Sequence, residues 1–397
     1  MNIGILREEK VPVDKRVPFS PSQCKQIITE FPELKIFVQS SDIRCFSDED
    51  YLKNGIPIVD TLESCDILFG IKEVPKDKLI ANKTYLFFSH TIKKQEYNRE
   101  LLKKMIKLNI RMIDYEVLKY NDGSRILGFG RYAGIIGAYN GLLTYGLKHG
   151  LYTLKPAYKC IDRNEMDNFL NDVKLSDEKL LITGKGRVGS GILETIKKLN
   201  IKEVNIDDYL NKRFDHPVYL NIDVMDYNAR IDGKESTFSD FLNDSSLYKS
   251  TFMKYAAKTD LYFAGHFYAT GAPYLFTRKD VKSPDFKISV VADVSCDIDG
   301  PVATTIKPST ISNPIYGYNR NTEKEDDFMS NDIIAVMAVD NLPCELPKDS
   351  SEDFGDHLIK HIIPIINSDN KIIEGATICK NGDLTKNYEY LRDYVNS

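Results

Sequence analysis

Short apolar runs alternate with helical patterns along the whole chain, and that alternation leaves few folds open. IGIL (3–6), KIFVQ, DILFGIK, TYLFF and RMIDYE read as strands, with LLKKMIKLNI as an amphipathic helix between the last two. Strands joined through helices must cross over to pair, which produces a mostly parallel sheet. Ser20-Pro21-Ser22-Gln23 forms a capping box with proline at the first helical position, so a helix opens there and runs through QCKQIITEF. A long helix is expected from 132 to 148, followed by a polar connecting segment at 155–178. A second α/β series opens at KLLITGKGRVGSG and continues through EVNI, VYLNIDV, DLYFAGHFY and KISVVADVS. DIIAVMAVD (332–340) is its last strand, SEDFGDHLIKHIIPII the next helix and KNYEYLRDYV a final one.

At 397 residues such a chain is expected to build about two domains. The formal net charge is −5 with both signs mixed, so no basic stripe points to nucleic acid. MNIGILREEK lacks the sections of a signal peptide, and AGIIGAYNGLLTYGL (133–147) is interrupted by Tyr, Asn and Thr, which reads as a buried helix rather than a membrane span. The seven cysteines are scattered without a CxxC pair, which argues against a zinc site and a disulfide scaffold. A cytoplasmic protein with a small-molecule partner, and no nucleic acid, membrane or metal, is the expectation. A homo-oligomer stays open.

The second series carries the sharpest motif. In KLLITGKGRVGSGILETIKKLN the glycines at 184, 186 and 189 fit GxGxxG between a strand and a helix. Gly184 permits the tight turn, Gly186 lets the backbone approach a pyrophosphate, and Gly189 allows helix and strand to pack closely. The second strand, EVNI, is read as ending at Asp207, 18 residues past Gly189, where an acid would hold the ribose 2′-hydroxyl of NAD and repel the 2′-phosphate of NADP. Arg187 in the loop could instead neutralise a phosphate, so NADP is not excluded.

In open α/β sheets ligands bind beyond the carboxyl ends of the strands. Lys72 and Glu73 end DILFGIKE, His90 ends TYLFFSH and Glu116 ends RMIDYE; Arg16 follows the first strand and Arg125 starts RILGFG. One such ion is ordinary for a solvated loop. A lysine, a histidine, two glutamates and two arginines at one sheet edge form a candidate site. Lysine and histidine suit removal of a proton from an amine and activation of water near neutral pH. Paired arginines suit a substrate with more than one carboxylate.

Several blocks resemble saccharopine dehydrogenase and the lysine–ketoglutarate reductase domain, within the alanine dehydrogenase superfamily. They are GIKEVP, FFSHTIKKQ, IDYEVL, GSRILGFGRYAG, VADVSCDIDGPV and AVDNLPCELPKDSSEDFG. The resemblance implies two Rossmann-like domains with parallel sheets flanking a cleft, the first built from both chain ends. That gives a substrate domain of 1–135 with 341–397, and a dinucleotide-binding domain of 136–340. It implies Lys72 and His90 as the acid–base pair, with Arg16, Glu73, Gln95, Glu116, Arg125 and Phe129 lining the substrate pocket. The cofactor positions it implies are Gly184, Gly186, Arg187, Val188, Gly189 and Asp207, with Asp340, Asn341 and Leu342 as a second contact. The implied activity is NAD-dependent oxidation of saccharopine to lysine and 2-oxoglutarate. FSHTIKK, DNLP and HFYATGAPY lean instead toward the NADPH-dependent reductase. Alanine dehydrogenase is a further rival, against which the two arginines count, and a nucleotide-binding protein without turnover is the non-enzyme alternative.

Overall fold

The computed structural model describes residues 1–269, 271–368 and 370–397, so Thr270 of HFYATGAPY lies outside the described residues. The chain forms two compact units, Met1–Phe129 with Pro347–Ser397, and Gly130–Leu346. The helix Gly130–His149, which the sequence boundary at 135/136 would cut, lies whole in the second unit.

The first unit is built on an eight-stranded sheet. From one edge its order is Asp383–Leu384, Thr377–Lys380, Arg111–Asp114, Thr84–Phe87, Ile67–Phe69, Asn2–Ile5, Lys35–Gln39 and Ile58–Val59. All neighbours from Arg111–Asp114 to Ile58–Val59 run parallel. Ile67–Phe69 is buried throughout and Thr84–Phe87 nearly so, as interior strands covered on both faces must be. The helix Pro21–Glu30 starts where the sequence places it: Ser20 accepts the Gln23 N–H, and the Gln23 side chain returns a bond to the Ser20 backbone. Gln23 Nε2 also donates 2.7 Å bonds to Asp356 and to the Glu352 carbonyl, fixing the first helix against the helix Pro347–His361 of the returning chain. Both chain ends therefore complete one core.

The second unit has its own eight-stranded sheet, ordered Lys324–Asp326, Ile315–Asn319, Ile333–Met337, Val290–Asp293, Leu261–Ala264, Lys179–Thr183, Val218–Ile222 and Lys202–Glu203. Its helix Gly130–His149 crosses Arg187–Ile196 at backbone contact. A Cβ at Gly134 would stand 2.0 Å from the Val188 carbonyl oxygen, and one at Gly191 would stand 2.0 Å from that of Arg131. Among the described residues no helix is long and apolar enough to cross a membrane.

The structure departs from the sequence reading in four places. EVNI shrinks to the edge strand Lys202–Glu203, because the Asn205 side chain accepts the Asp208 N–H and starts the helix Ile206–Asn211. Asp207 is thus an exposed residue in the first turn of a helix and does not end a strand. The polar segment at 155–178 contains the helix Arg163–Asn168, capped by Asp162. Both sheets carry antiparallel edge strands absent from the reading, Ile315–Asn319 with Lys324–Asp326 and Thr377–Lys380 with Asp383–Leu384. KNYEYLRDYV divides into the tight turns of Lys386–Leu391 and the helix Arg392–Asn396, with a break at Tyr388.

At the end of the second unit Asn140 donates a 2.8 Å bond to buried Glu345. Burial pushes that carboxyl up to about 8, against the pull of the Asn140 bond. A carboxyl raised on folding takes up a proton between its ordinary value and about 8, so its contribution to stability is lost as pH rises through that window. Glu345→Gln, which keeps the acceptor and cannot ionise, should flatten the fall in melting temperature between pH 5 and about 8. An unchanged slope in that variant would contradict the assignment.

Candidate functional site

In the first sheet the strand order reverses beside Asn2–Ile5: the chain builds outward to Lys35–Gln39 and Ile58–Val59, then returns to add Ile67–Phe69 on the other side. Connections leave in opposite directions there, which makes their carboxyl ends the expected ligand crevice. Arg16 comes from the loop after Asn2–Ile5, and Lys72 and Glu73 from the end of Ile67–Phe69. His90 follows the next strand, Thr84–Phe87.

His90 adopts a left-handed backbone at φ 52°, a conformation that costs a non-glycine residue about 1–3 kcal/mol. Its Nδ1 lies 2.7 Å from Glu73 Oε1, and Lys10 Nζ lies 2.5 Å from Glu73 Oε2. Burial works to raise the Glu73 carboxyl, but the bonds from His90 and Lys10 hold it down at about 2. An ionised carboxylate only accepts, so Nδ1 carries the hydrogen of this bond and Nε2 is the ring nitrogen not bonded to Glu73. The Lys72 ammonium forms no hydrogen bond or ion pair with a described residue, and burial together with the Arg16 charge pushes it down.

Arg16 is buried. Its Nε and Nη2 donate to Asp14 at 3.0 and 2.6 Å, and its guanidinium lies 4.1 Å from the centre of the Phe129 ring. The fork assigned above to a substrate carboxylate is therefore turned to Asp14, which it holds at about 2 against burial. Phe129 stacks on Phe354 of the returning chain at 4.6 Å, and Phe88 stands 6.1 Å from Phe129 and 6.4 Å from His90. Glu116 is buried, with Oε1 3.2 Å from both Lys93 and Arg125. Its Oε2 is shielded and has no partner among the described residues. Arg125 is 56% exposed. The Gln95 side chain accepts from Tyr97, whose ring lies 6.0 Å from Lys10 Nζ, and its carbonyl accepts from Tyr394.

In the second unit the strand order reverses beside Lys179–Thr183, and the glycine loop leaves from that point. Gly184 has φ +98°, and a Cβ there would meet the Gly265 carbonyl oxygen at 2.2 Å. Gly189 is pressed on Gly184 itself, its Cβ position 2.0 Å from the Gly184 oxygen. Nothing lies within 4 Å of a Cβ at Gly186, the residue that caps the helix Arg187–Ile196. Gly186, Arg187 and Val188 thus present an open cradle at a helix N-terminus, which fits a pyrophosphate.

Three residues of this unit stand differently from, or outside, the sequence reading. Asp207 follows the edge strand, two strands away from the loop. The strand next to the loop is Val218–Ile222, and Asp223 lies just past its carboxyl end, exposed. His266 follows Leu261–Ala264 on the other side, with Nδ1 3.4 Å from Thr183 Oγ1 and no partner for Nε2 among the described residues. Burial pushes this imidazole down to about 4, so it is neutral near pH 7. Asp340 and Asn341 lie beyond the strand Ile333–Met337, and Leu342 is buried against the helix at Gly137.

Residues 4–136 match the alanine dehydrogenase/PNT N-terminal domain, and residues 170–387 match the alanine dehydrogenase/PNT C-terminal domain. The chain belongs to this family. A mitochondrial alpha-aminoadipic semialdehyde synthase from Rattus norvegicus is 28% identical over 98% of this chain and 47% of its own length. The chain thus spans about half the length of the synthases it matches. A saccharopine dehydrogenase (NAD(+), L-lysine-forming) from Candida glabrata is 26% identical over 91% of this chain and 93% of that protein. These relatives represent the branch whose blocks the sequence resembles. The fold is that of a solved L-alanine dehydrogenase, with TM-score 0.65 at 16% identity over 99% of this chain and 100% of that one.

The Glu73 environment gives this family member an acid-side signature. A carboxyl depressed on folding contributes stability above its ordinary value, and that contribution is lost as pH falls from about 4.5 to about 2. Glu73→Gln should reduce the loss of melting temperature between pH 5 and pH 3. An equal loss in both proteins would mean that the His90 and Lys10 bonds do not hold the carboxylate.

Proposed function

We propose that the chain is a nicotinamide-dependent oxidoreductase acting on a carbon–nitrogen bond, and that it converts saccharopine to lysine and 2-oxoglutarate with NAD. The observation that carries this reading is the set at the switch point of the first sheet: Lys72 with lowered proton affinity beside a Glu73–His90 pair whose Nε2 is not bonded to Glu73. Lys72 takes the proton of the secondary amine. The bound nicotinamide supplies the hydride acceptor. His90 Nε2 takes a proton from the water that attacks the resulting imine and returns it to the nitrogen, while Glu73 holds the ring and stabilises its protonated form. As the carbinolamine collapses, its hydroxyl proton passes to the nitrogen and the carbon–nitrogen bond breaks to release lysine and 2-oxoglutarate. Each such proton transfer is worth about 10²–10⁴-fold in rate. The unpartnered Glu116 Oε2 suits a cationic amine of the substrate, and exposed Arg125 suits a carboxylate.

For the cofactor, Gly184, Gly186 and Gly189 with the amides of Arg187 and Val188 would hold the pyrophosphate, and Asp340, Asn341 and Leu342 would add the second contact. Topology favours Asp223 over Asp207 for the ribose, because the acid that reads the 2′-hydroxyl should follow the strand beside the glycine loop. A second reading, NADPH-dependent formation of saccharopine, draws support from the match of 98% of this chain to 47% of a synthase.

An absorbance screen crossing NAD and NADP with saccharopine, alanine, and lysine plus 2-oxoglutarate tests the proposal. Turnover of saccharopine with NAD is expected; turnover of alanine alone would overturn the reading. His90→Gln should lower turnover by about 10²-fold and spare dinucleotide affinity, whereas normal turnover in the folded variant would remove His90 from the chemistry. Arg125→Ala should weaken substrate binding by about 10- to 100-fold. Arg16 is the poorer test, since its loss would strand buried Asp14 at a cost of about 3–5 kcal/mol. Asp223→Ala should narrow the preference for NADH over NADPH more than Asp207→Ala does; the opposite ranking would return the ribose contact to Asp207.

A further inference from the structure

One buried carboxyl at the switch point takes no part in the chemistry above. Glu8 lies just beyond Asn2–Ile5 and accepts the Ile71 N–H on Oε1 at 2.6 Å and the Lys72 N–H on Oε2 at 2.9 Å. The backbone pairing between the two strands ends earlier, with Leu6 N–H donating to the Phe69 carbonyl at 2.8 Å. The Glu8 side chain thus replaces the next rungs of the ladder across the point where the strands part. Residue 70 leaves room for it: a Cβ at Gly70 would stand 3.2 Å from Glu8 Oε1 and 3.1 Å from Leu6 Cδ1.

We propose that Glu8 is the positioning residue for Lys72, fixing the backbone from which the ammonium is presented to substrate. The inference rests on the reading of Lys72 as the proton acceptor. The Lys72 ammonium has no hydrogen-bond or ion-pair partner among the described residues, so its placement depends on where its backbone is held. The groups facing Glu8 are Asp14, Arg16 and Tyr115, besides Lys72 itself. Burial outweighs its two backbone bonds and raises its carboxyl to about 8, with Asp14 adding to the rise and Arg16 opposing it. Loss of the clamp and loss of the charge have opposite effects on Lys72. A loosened turn lets the ammonium leave its buried position and raises its proton affinity; removal of a nearby negative charge lowers it.

The test is the pH dependence of acetylation of Lys72 by acetic anhydride, read by peptide mass in the intact chain, with exposed Lys53 as the internal reference. In the unsubstituted protein the Lys72 midpoint should lie below that of Lys53. In Glu8→Gln and in Gly70→Ala, which crowds the carboxyl and leaves its charge, the Lys72 midpoint should rise by about half a pH unit or more. Turnover should fall by about 10- to 100-fold with unchanged dinucleotide affinity. A midpoint that falls in Glu8→Gln and stays put in Gly70→Ala would overturn the proposal in favour of a charge effect. Unmoved midpoints in both would overturn it outright. If Glu8→Gln does not fold, Gly70→Ala decides alone. A protein inactive on every substrate of the screen, whose midpoints nonetheless move, would refute the functional reading and leave the clamp standing. An active protein with fixed midpoints would do the reverse.

Discussion

Parallel strands cannot be joined by tight turns, so each connection must climb over a sheet face before the next strand starts. Where the strand order reverses, connections depart to opposite sides and leave two carboxyl ends uncovered. Both sheets of this chain reverse beside their first strand, and each places its distinctive chemistry there. In the first unit the gap receives Arg16, Lys72 and Glu73, and the Glu8 carboxylate accepts the Ile71 and Lys72 amides there. In the second it receives Gly184 pressed against Gly265, a contact that excludes any side chain at position 184. The fold fixes where a site can be, and the residues at the gap decide what kind it is.

Burial then sorts the protons. Glu8 and Asp14 lie in one loop region, yet one carboxyl is raised to about 8 and the other held at about 2. The difference is the partner: Glu8 has two neutral amides, while Asp14 has the guanidinium of Arg16. Glu73 follows the Asp14 pattern through His90 and Lys10. Glu73 is thus a fixed anion that orients an imidazole, while burial and the Arg16 charge give Lys72 its reduced proton affinity. Arg16 is the buried counter-ion that keeps Asp14 ionised, and its guanidinium also lies over the Phe129 ring.

Features coded over a few neighbouring residues were legible in the sequence. The capping box at Ser20, the glycine spacing at 184, 186 and 189 and the run of parallel strands are of this kind. What the sequence hid depends on tertiary neighbours. EVNI and VYLNIDV look equally like the strand beside the glycine loop, and only the pairing of Val218–Ile222 with Lys179–Thr183 separates Asp223 from Asp207. Nothing local in the sequence reports that Glu8 and Asp14 are buried. His266 was absorbed into a strand pattern that stops two residues before it. The outermost strand Lys324–Asp326 is exposed and polar and lacks an apolar alternation to betray it.

The central claim is that these groups serve hydride chemistry at a carbon–nitrogen bond. Its most direct test runs the reaction toward saccharopine with nicotinamide cofactor deuterated at the transferable position, lysine and 2-oxoglutarate, and locates the label by mass spectrometry. The account predicts a secondary amine carrying one deuterium on the carbon that was the ketone of 2-oxoglutarate. Label found instead in 2-hydroxyglutarate, or in a primary amine formed from ammonia, would contradict it.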